Sequence, residues 1–260
     1  MKVVILCGGL GTRLREETEV RPKPMLTIGN KPILWHIMKT YFHHGHDQFV
    51  LCLGYKGNVI KDFFLNYRAI VSDVTIKLNH ASTPTYHDRP LEEDWKVTLA
   101  ETGEKAMTGA RVKRVEKYLD NDDFFLTYGD AVGNVDIKAL LAFHRKHGKL
   151  ATLTGVRPPG RFGELDVKKG RVAEFNEKPQ ATAGLINGGF FVFKRKVLEQ
   201  LKRDDDCVLE TFLLRRLAKE GQLMCYEHRG FWFPMDTFRE YELLNRMWSE
   251  NNAPWKVWKA

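Results

Sequence analysis

Long apolar runs are missing from this chain. Apolar stretches such as Val3–Cys7 and Gly189–Phe193 fall far short of the ~20 residues that span a bilayer. The opening residues Met1-Lys2-Val3-Val4-Ile5-Leu6 read as a core-like segment, without the apolar region and small-residue cleavage site of a secretory signal. The expectation is a cytoplasmic protein with no membrane partner. Cysteine is scarce: Cys7, Cys52, Cys207 and Cys225 are the only four, and no pair has C-x-x-C spacing. The first two sit inside apolar runs, where a reduced thiol behaves as a small hydrophobe, so free thiols in a reducing compartment are expected. No fixed-period repeat argues for a solenoid or propeller, and no Ser/Gly/Pro-rich linker divides the chain. One domain over 1–260 is therefore expected, with an embellished second half.

A basic stripe is absent too. The formal charge is +8, from 41 Lys and Arg against 33 Asp and Glu. The basic residues are dispersed, in runs of no more than two or three, with acids interleaved. Nucleic-acid binding calls for a clustered patch or a recognised module. No nucleic-acid partner is expected; small phosphorylated substrates suit the charge better.

Strand-like and helix-like segments alternate along the first third. Lys2–Cys7 is a continuous apolar strand broken by Gly8–Gly11. Pro32–Phe42 carries helical spacing, with Ile33, Ile37 and Tyr41 on one face. Phe49–Gly54 is a second buried strand, Asn58–Leu65 a helix, and Val74–Asn79 an alternating third strand. This order predicts an α/β fold around a mostly parallel sheet flanked by helices. His80–Trp95, rich in Pro, Asp and His, reads as a loop or an excursion from the core. Phe124–Tyr128 is a strand stopping at Gly129-Asp130, Asp136–Gly148 a helix and Ala151–Val156 a strand. Leu165–Phe175 reads as a hairpin turning at 168–170, Asn187–Lys194 as a strand, and Asp205–Glu220 as a helix stopped by Gly221.

Two motifs carry chemistry. In Leu6-Cys7-Gly8-Gly9-Leu10-Gly11-Thr12-Arg13-Leu14 a strand runs into a glycine-rich turn and then a basic residue. Small residues let backbone N–H groups close on phosphate oxygens, and Arg13 offers a charged fork. The spacing fits neither G-x-x-x-x-G-K-[ST] nor the three-glycine dinucleotide fingerprint. About ten residues on, Arg21-Pro22-Lys23-Pro24-Met25-Leu26 holds Lys23 between two prolines that restrict the backbone. A rigidly placed ammonium beside a phosphate loop suits a developing negative charge. The His43-His44-x-His46 cluster reads as residues closing a helix rather than as metal ligands.

The pair G-G-x-G-T-R-L and P-K-P-M-L resembles the sugar-nucleotide pyrophosphorylases, which implies their Rossmann-like nucleotide-diphospho-sugar transferase fold. The likeness runs through the chain, in Gly54-Tyr55-Lys56-Gly57, Tyr128-Gly129-Asp130, Pro158-Pro159-Gly160-Arg161-Phe162-Gly163, Glu177-Lys178-Pro179, Ile186-Asn187-Gly188-Gly189 and Pro234-Met235-Asp236-Thr237. The segments Trp95–Gly103 and Thr108–Arg111 are similar to the cytidylyltransferases that act on glucose 1-phosphate. The resemblance implies CTP and glucose 1-phosphate as substrates and Mg²⁺ as cofactor, held by Asp130 and Asp236. It makes Leu6, Cys7, Gly8, Gly9, Gly11, Thr12 and Arg13 the nucleotide loop and Lys23 the triphosphate lysine. Thr102, Gly103, Thr108, Arg111 and Gly129 become further nucleotide contacts. Lys178 would receive the sugar phosphate, with Glu164 and Asn187 near the sugar hydroxyls. The catalytic set it implies is Arg13, Lys23, Asp130 and Lys178. A homo-oligomer, a hexamer, is implied as well, with sugar-binding and oligomerisation embellishments around 80–120 and 157–260.

Three departures stand out. Cys7 replaces a usual Ala, Ala131 follows Gly129-Asp130 where Gly is common, and Asn30 replaces another frequent Gly. Ala131 would be strained if its position needed a positive φ. Uridylyl- or thymidylyltransfer to glucose 1-phosphate is the alternative within the same chemistry. A non-catalytic nucleotide-sugar sensor is the alternative outside it, although both lysines and both aspartates are present.

Overall fold

The computed structural model describes residues 1–9, 11, 18–78, 83–87, 94–158, 164–168, 171–176 and 184–258, with 164–168 and 171–176 described by backbone alone. Eight strands form the main sheet. They are β1 (Val3–Leu6), β2 (Gln48–Leu53), β3 (Lys96–Glu101), β4 (Phe124–Tyr128), β5 (Ala151–Val156), β6 (Ile186–Asn187), β7 (Phe191–Phe193) and β8 (Leu223–His228). β1 lies at the centre, parallel to β2 on one side and β4 on the other, and β3 runs parallel to the far edge of β2. Beyond β4 come antiparallel β7, then β5, with β8 parallel on the outer edge of β5. The sheet is mixed and mostly parallel, as the β-α-β order requires.

Burial explains why β1 reads as an unbroken apolar run. Val3 and Ile5 point into one core, with Phe49, Leu51 and Phe125. Val4 and Leu6 point into the other, with Val50, Cys52 and Leu126. A strand covered on both faces needs apolar side chains at every position. The first face is covered by α1 (Ile33–His43), α4 (Ile137–His147) and α5 (Phe238–Ser249), and takes in Ile60 of α2 (Gly57–Leu65). The second is covered by α3 (Thr108–Arg114) and the helical segment 209–219. α4 begins and ends where its caps dictate. The Asp136 carboxylate accepts from the Ala139 N–H at 2.9 Å, and Gly148 takes the left-handed conformation at φ 67°.

The C-terminal segment is tied to α1 through a buried imidazole. His36, fully buried, hydrogen-bonds the Ile28 carbonyl through Nε2 at 3.1 Å and accepts from the Trp255 indole N–H at 3.4 Å. Burial pushes its pKa down to about 4, which keeps the ring neutral and able to serve both partners.

Three expectations are corrected. The third parallel strand is β3, not Val74–Asn79. Only Val74–Thr75 is extended, in a separate ribbon with Thr85–Tyr86, and Leu78 is 94% exposed. β3 escaped notice because an edge strand is buried on fewer sides, and Lys96-Val97-Thr98-Leu99-Ala100-Glu101 carries charges at both ends. The stretch His80–Trp95, expected as a loop or an excursion from the core, supplies the second strand of that ribbon outside the main sheet; residues 79–82 and 88–93 lie outside the described residues. Asn187–Lys194 is interrupted at 188–190, where Gly189 and Phe190 take positive φ values of 76° and 47°. The helix expected from Asp205 starts at Leu209, as a π-helical turn to Leu214 that passes into an α-helix over Arg215–Lys219. The 165–175 hairpin is present as Glu164–Lys168 against Arg171–Asn176, with its turn residues 169–170 outside the described set.

Candidate active site

The carboxyl ends of β1 and β4 open onto a cleft of about 420 Å³. In parallel α/β sheets this end is where ligands bind, because loops and helix starts gather there. Leu6, Cys7, Gly8, Gly9 and Gly11 form one wall directly off β1. Gly129 must be glycine: its N–H donates to the Leu6 carbonyl at 3.1 Å, and a Cβ there would sit 2.8 Å from the same oxygen. That close approach aims the next residue, Asp130, across the cleft.

Asp236, 106 positions further on, reaches the same point by two local devices. Ala131–Gly133 pairs antiparallel with Trp232–Pro234, and the Met235 N–H donates to the Asp130 carbonyl at 2.8 Å. Immediately after, Thr237 and Glu240 form a reciprocal capping box at the start of α5. Glu240 also accepts from the Asp236 N–H at 2.7 Å. The two carboxylates converge on the Lys23 ammonium, which donates to Asp130 Oδ2 at 2.7 Å and to Asp236 Oδ1. Burial works against the charge on Lys23, but Asp130 and then Asp236 outweigh it and hold its pKa above the ordinary lysine value.

Two oxygen donors that already gather around one cation are the donor set a hard divalent ion takes. Mg²⁺ binds through one or two carboxylates and completes its shell with water and substrate phosphates. Asp130 and Asp236 fit that role. Among the described residues no cluster of three or more His, Cys, Asp or Glu residues offers a closed metal cage.

Arg111 closes the floor. It is 4% exposed, and its guanidinium donates to the carbonyls of Leu53, Gly8, Gly103 and Glu104 and to the Thr102 hydroxyl, at 2.8–3.2 Å. A Cβ on Gly8 would lie 2.1 Å from its Nη1, so the glycine is required by the arginine beneath it. Burial pulls the Arg111 pKa below the usual arginine value.

The model of the nucleotidyl transferase family matches residues 2–247. The chain belongs to that family. It is 52% identical over 260 residues, all of both chains, to the glucose-1-phosphate cytidylyltransferase of Salmonella typhimurium, and equally so to that of Salmonella typhi. Among solved structures, a UTP-bound UGPase from Acinetobacter baumannii superposes with a TM-score of 0.67 at 16% identity, covering 96% of this chain and 93% of that one. That likeness establishes the shared fold, the nucleotide-diphospho-sugar transferase fold.

In this nucleotidyl transferase the residues singled out from sequence divide into four groups. The β1 loop, Lys23, Gly129 and the two aspartates meet in the cleft, as do Thr108 and Arg111. Thr102 and Gly103 sit behind the wall. Thr102 is 1% exposed, its hydroxyl donates to the Leu53 carbonyl at 2.5 Å, and the Gly103 carbonyl faces Arg111. Asn187 stands beside Tyr128, donating to its hydroxyl at 3.1 Å. Thr12, Arg13 and Lys178 lie outside the described residues, as does the side chain of Glu164.

The departures are harmless to the backbone. Ala131 is extended and has no positive φ, and Gly29 rather than Asn30 takes the left-handed turn at φ 63°. Cys7 is fully buried, and all four cysteines are free.

Sequence reasoning missed Tyr128 and Glu210. Tyr128 lines the cleft and donates to Glu210 Oε1 at 2.6 Å, while Thr108 donates to Glu210 Oε2 at 2.7 Å. Burial, and then the adjacent carboxylate, push the Tyr128 pKa far up, so the phenol stays protonated. The available signal was a lone acid inside the apolar run Cys207-Val208-Leu209-Glu210-Thr211-Phe212-Leu213-Leu214.

Proposed function

We propose that this chain transfers the cytidylyl group of CTP to α-D-glucose 1-phosphate, giving CDP-glucose and pyrophosphate. The observation that carries the reading is the convergence of Lys23, Asp130 and Asp236 beside the glycine loop of β1. The cytidylyltransferases that match it over their whole length support the choice of substrates.

A sugar phosphate has a second pKa of about 6, so at neutral pH the nucleophile is already largely dianionic and needs no general base. The obstacle is repulsion between two polyanions, and the task of the site is positioning and charge neutralisation. The glycine loop closes backbone N–H groups on the nucleotide. Lys23 neutralises the triphosphate, and Arg13 adds a second cation to it. Lys178 holds the attacking phosphate, with Glu164 and Asn187 on the sugar. A phosphate oxygen of glucose 1-phosphate attacks the α-phosphorus in line, and pyrophosphate leaves with the electron pair of the broken bond. Asp130 and Asp236 would hold a divalent ion, Mg²⁺, whose chemistry is to screen and polarise the phosphate oxygens.

The test is direct competition. With equal CTP and UTP, limiting enzyme and limiting glucose 1-phosphate, CDP-glucose should dominate the separated products. A mixture dominated by UDP-glucose would reject the cytidine assignment while leaving nucleotidyl transfer intact.

The whole chain is read as one catalytic domain working in a homo-oligomer, a hexamer, in the cytoplasm. Among the described residues no helix is long and apolar enough to cross a membrane. An apolar groove of about 270 Å³, lined by Phe64, Leu65, Tyr67, Trp95, Val97 and Leu99, runs beside the edge strand β3 and supports self-association. Light scattering should return six times the mass of the chain; a monomer at micromolar concentration would reject the assembly.

A further inference from the structure

The carboxylate of Glu210 sits on a π-helical turn, Leu209–Leu214, a geometry uncommon in helices and frequent at functional sites. The turn brings it against both walls of the cleft at once. On one wall Thr108, at the start of α3, donates its hydroxyl proton to Oε2 at 2.7 Å and accepts the Leu209 N–H at 2.9 Å. On the other Tyr128, at the end of β4, donates its proton to Oε1 at 2.6 Å and accepts from Asn187 Nδ2 at 3.1 Å. Asn187 is itself oriented, because its Oδ1 accepts the Gly189 N–H at 3.0 Å. That N–H is presented by the backbone break at 188–190, where Gly189 and Phe190 have positive φ.

An ionised carboxylate can only accept hydrogen bonds. Each hydroxyl has one proton, and both protons are turned toward Glu210. What Thr108 and Tyr128 have left for a ligand is lone pairs. Glu210 therefore sets where both hydroxyl protons point, while the Gly189 and Asn187 N–H groups can only donate.

We propose that Glu210 is a positioning residue for the transfer: by taking the hydroxyl protons of Thr108 and Tyr128, it fixes both cleft walls as acceptors for donor groups of the bound substrates. Sugar hydroxyls and an exocyclic amine are donors of that class. The inference rests on the proposed function, since it concerns how that site holds its substrates. It does not depend on which base the nucleotide carries.

Glu210→Gln tests it with almost no change in shape. The amide places an N–H₂ where an oxygen stood, so one hydroxyl must accept from it and turn its own proton away. The polarity of one wall reverses. The expected loss in kcat/KM is about tenfold, the size of one misdirected hydrogen bond, carried mainly by higher KM values, with the melting temperature within a few degrees of wild type. Tyr128→Phe removes the same link from its other end. In the double variant the combined loss should be clearly smaller than the product of the two single losses, because both act through one bond. Glu210→Gln kinetics within twofold of wild type would overturn the proposal, and so would losses that multiply. Should Glu210→Gln fail to fold, Glu210→Asp keeps both oxygens, shortens the reach and carries the same cycle. Product formation by the wild type with each nucleoside triphosphate is scored first, and the cycle is run with the one it uses. A wrong nucleotide assignment and a wrong role for Glu210 therefore give different results.

Discussion

Asp130→Asn and Asp236→Asn are each expected to lower kcat by about a thousandfold, roughly 4 kcal/mol of lost transition-state stabilisation, while the variant melts within a few degrees of wild type. The two effects separate because the carboxylates do different things in the free and working protein. In the free protein they form ion pairs with Lys23, at side-chain exposures of 37% for Asp130 and 25% for Asp236. Pairs that reach water contribute little to stability, and losing one carboxylate still leaves Lys23 the other. In the proposed transfer the same oxygens would hold a divalent ion against a triphosphate. An amide oxygen carries no net charge and binds such an ion far more weakly. Turnover is measured by pyrophosphate release at saturating Mg²⁺ and folding by thermal melts. Near-normal kcat in either variant would remove these two residues from the metal site.

That pair also shows what sequence alone could and could not reveal. The strand that stops at Gly129-Asp130 is readable from the sequence, but the role given to Asp130 came from the resemblance. Asp236 was assigned only through the resemblance: nothing in a spacing of 106 residues predicts that a two-stranded ribbon and a capping box will bring it to Lys23. Local signals served well where one physical rule dominated. The unbroken apolar run at 49–54, the strand segment at 151–156, and the Asp136 and Gly148 caps marked their elements closely. They failed where context decides. Val74, Ile76 and Leu78 alternate like a strand, but Ile76 is 54% and Leu78 94% exposed, while the true third strand is a half-buried edge with charged ends. A π-helical turn has no separate signature in composition, so Leu209–Leu214 read as ordinary helix, and the carboxylate it places against the cleft-lining Thr108 and Tyr128 went unnoticed.

Arg111→Met is expected to lower the melting temperature by about 10 °C, corresponding to roughly 3 kcal/mol or more. By resemblance Arg111 is a nucleotide contact, and it does line the cleft. Its guanidinium, however, is spent on the protein itself, with donors placed on four carbonyls and one hydroxyl. These groups belong to three separate pieces of backbone: the β1 loop at Gly8, the end of β2 at Leu53, and the segment after β3 from Thr102 to Glu104. Methionine fills similar space and supplies no donor, so the Gly8 carbonyl and the Thr102 hydroxyl, both in buried residues, lose the guanidinium together, and the three segments lose the group that joins them. Lysine should not rescue it, because a point charge on a flexible stem cannot replace a planar fork with five N–H donors. Gly8→Ala attacks the same junction from above, since its Cβ would fall 2.1 Å from the guanidinium, and it should reproduce the loss of stability. The opposite outcome is specific. If Arg111→Met melts within two or three degrees of wild type yet shows a greatly raised KM for the nucleotide alone, Arg111 works as a direct contact and the carbonyl cage is incidental. If stability falls and saturating nucleotide restores part of it, the arginine holds together the three segments that the nucleotide binds across, because a ligand that binds only the folded state stabilises it by an amount that grows with the logarithm of its affinity.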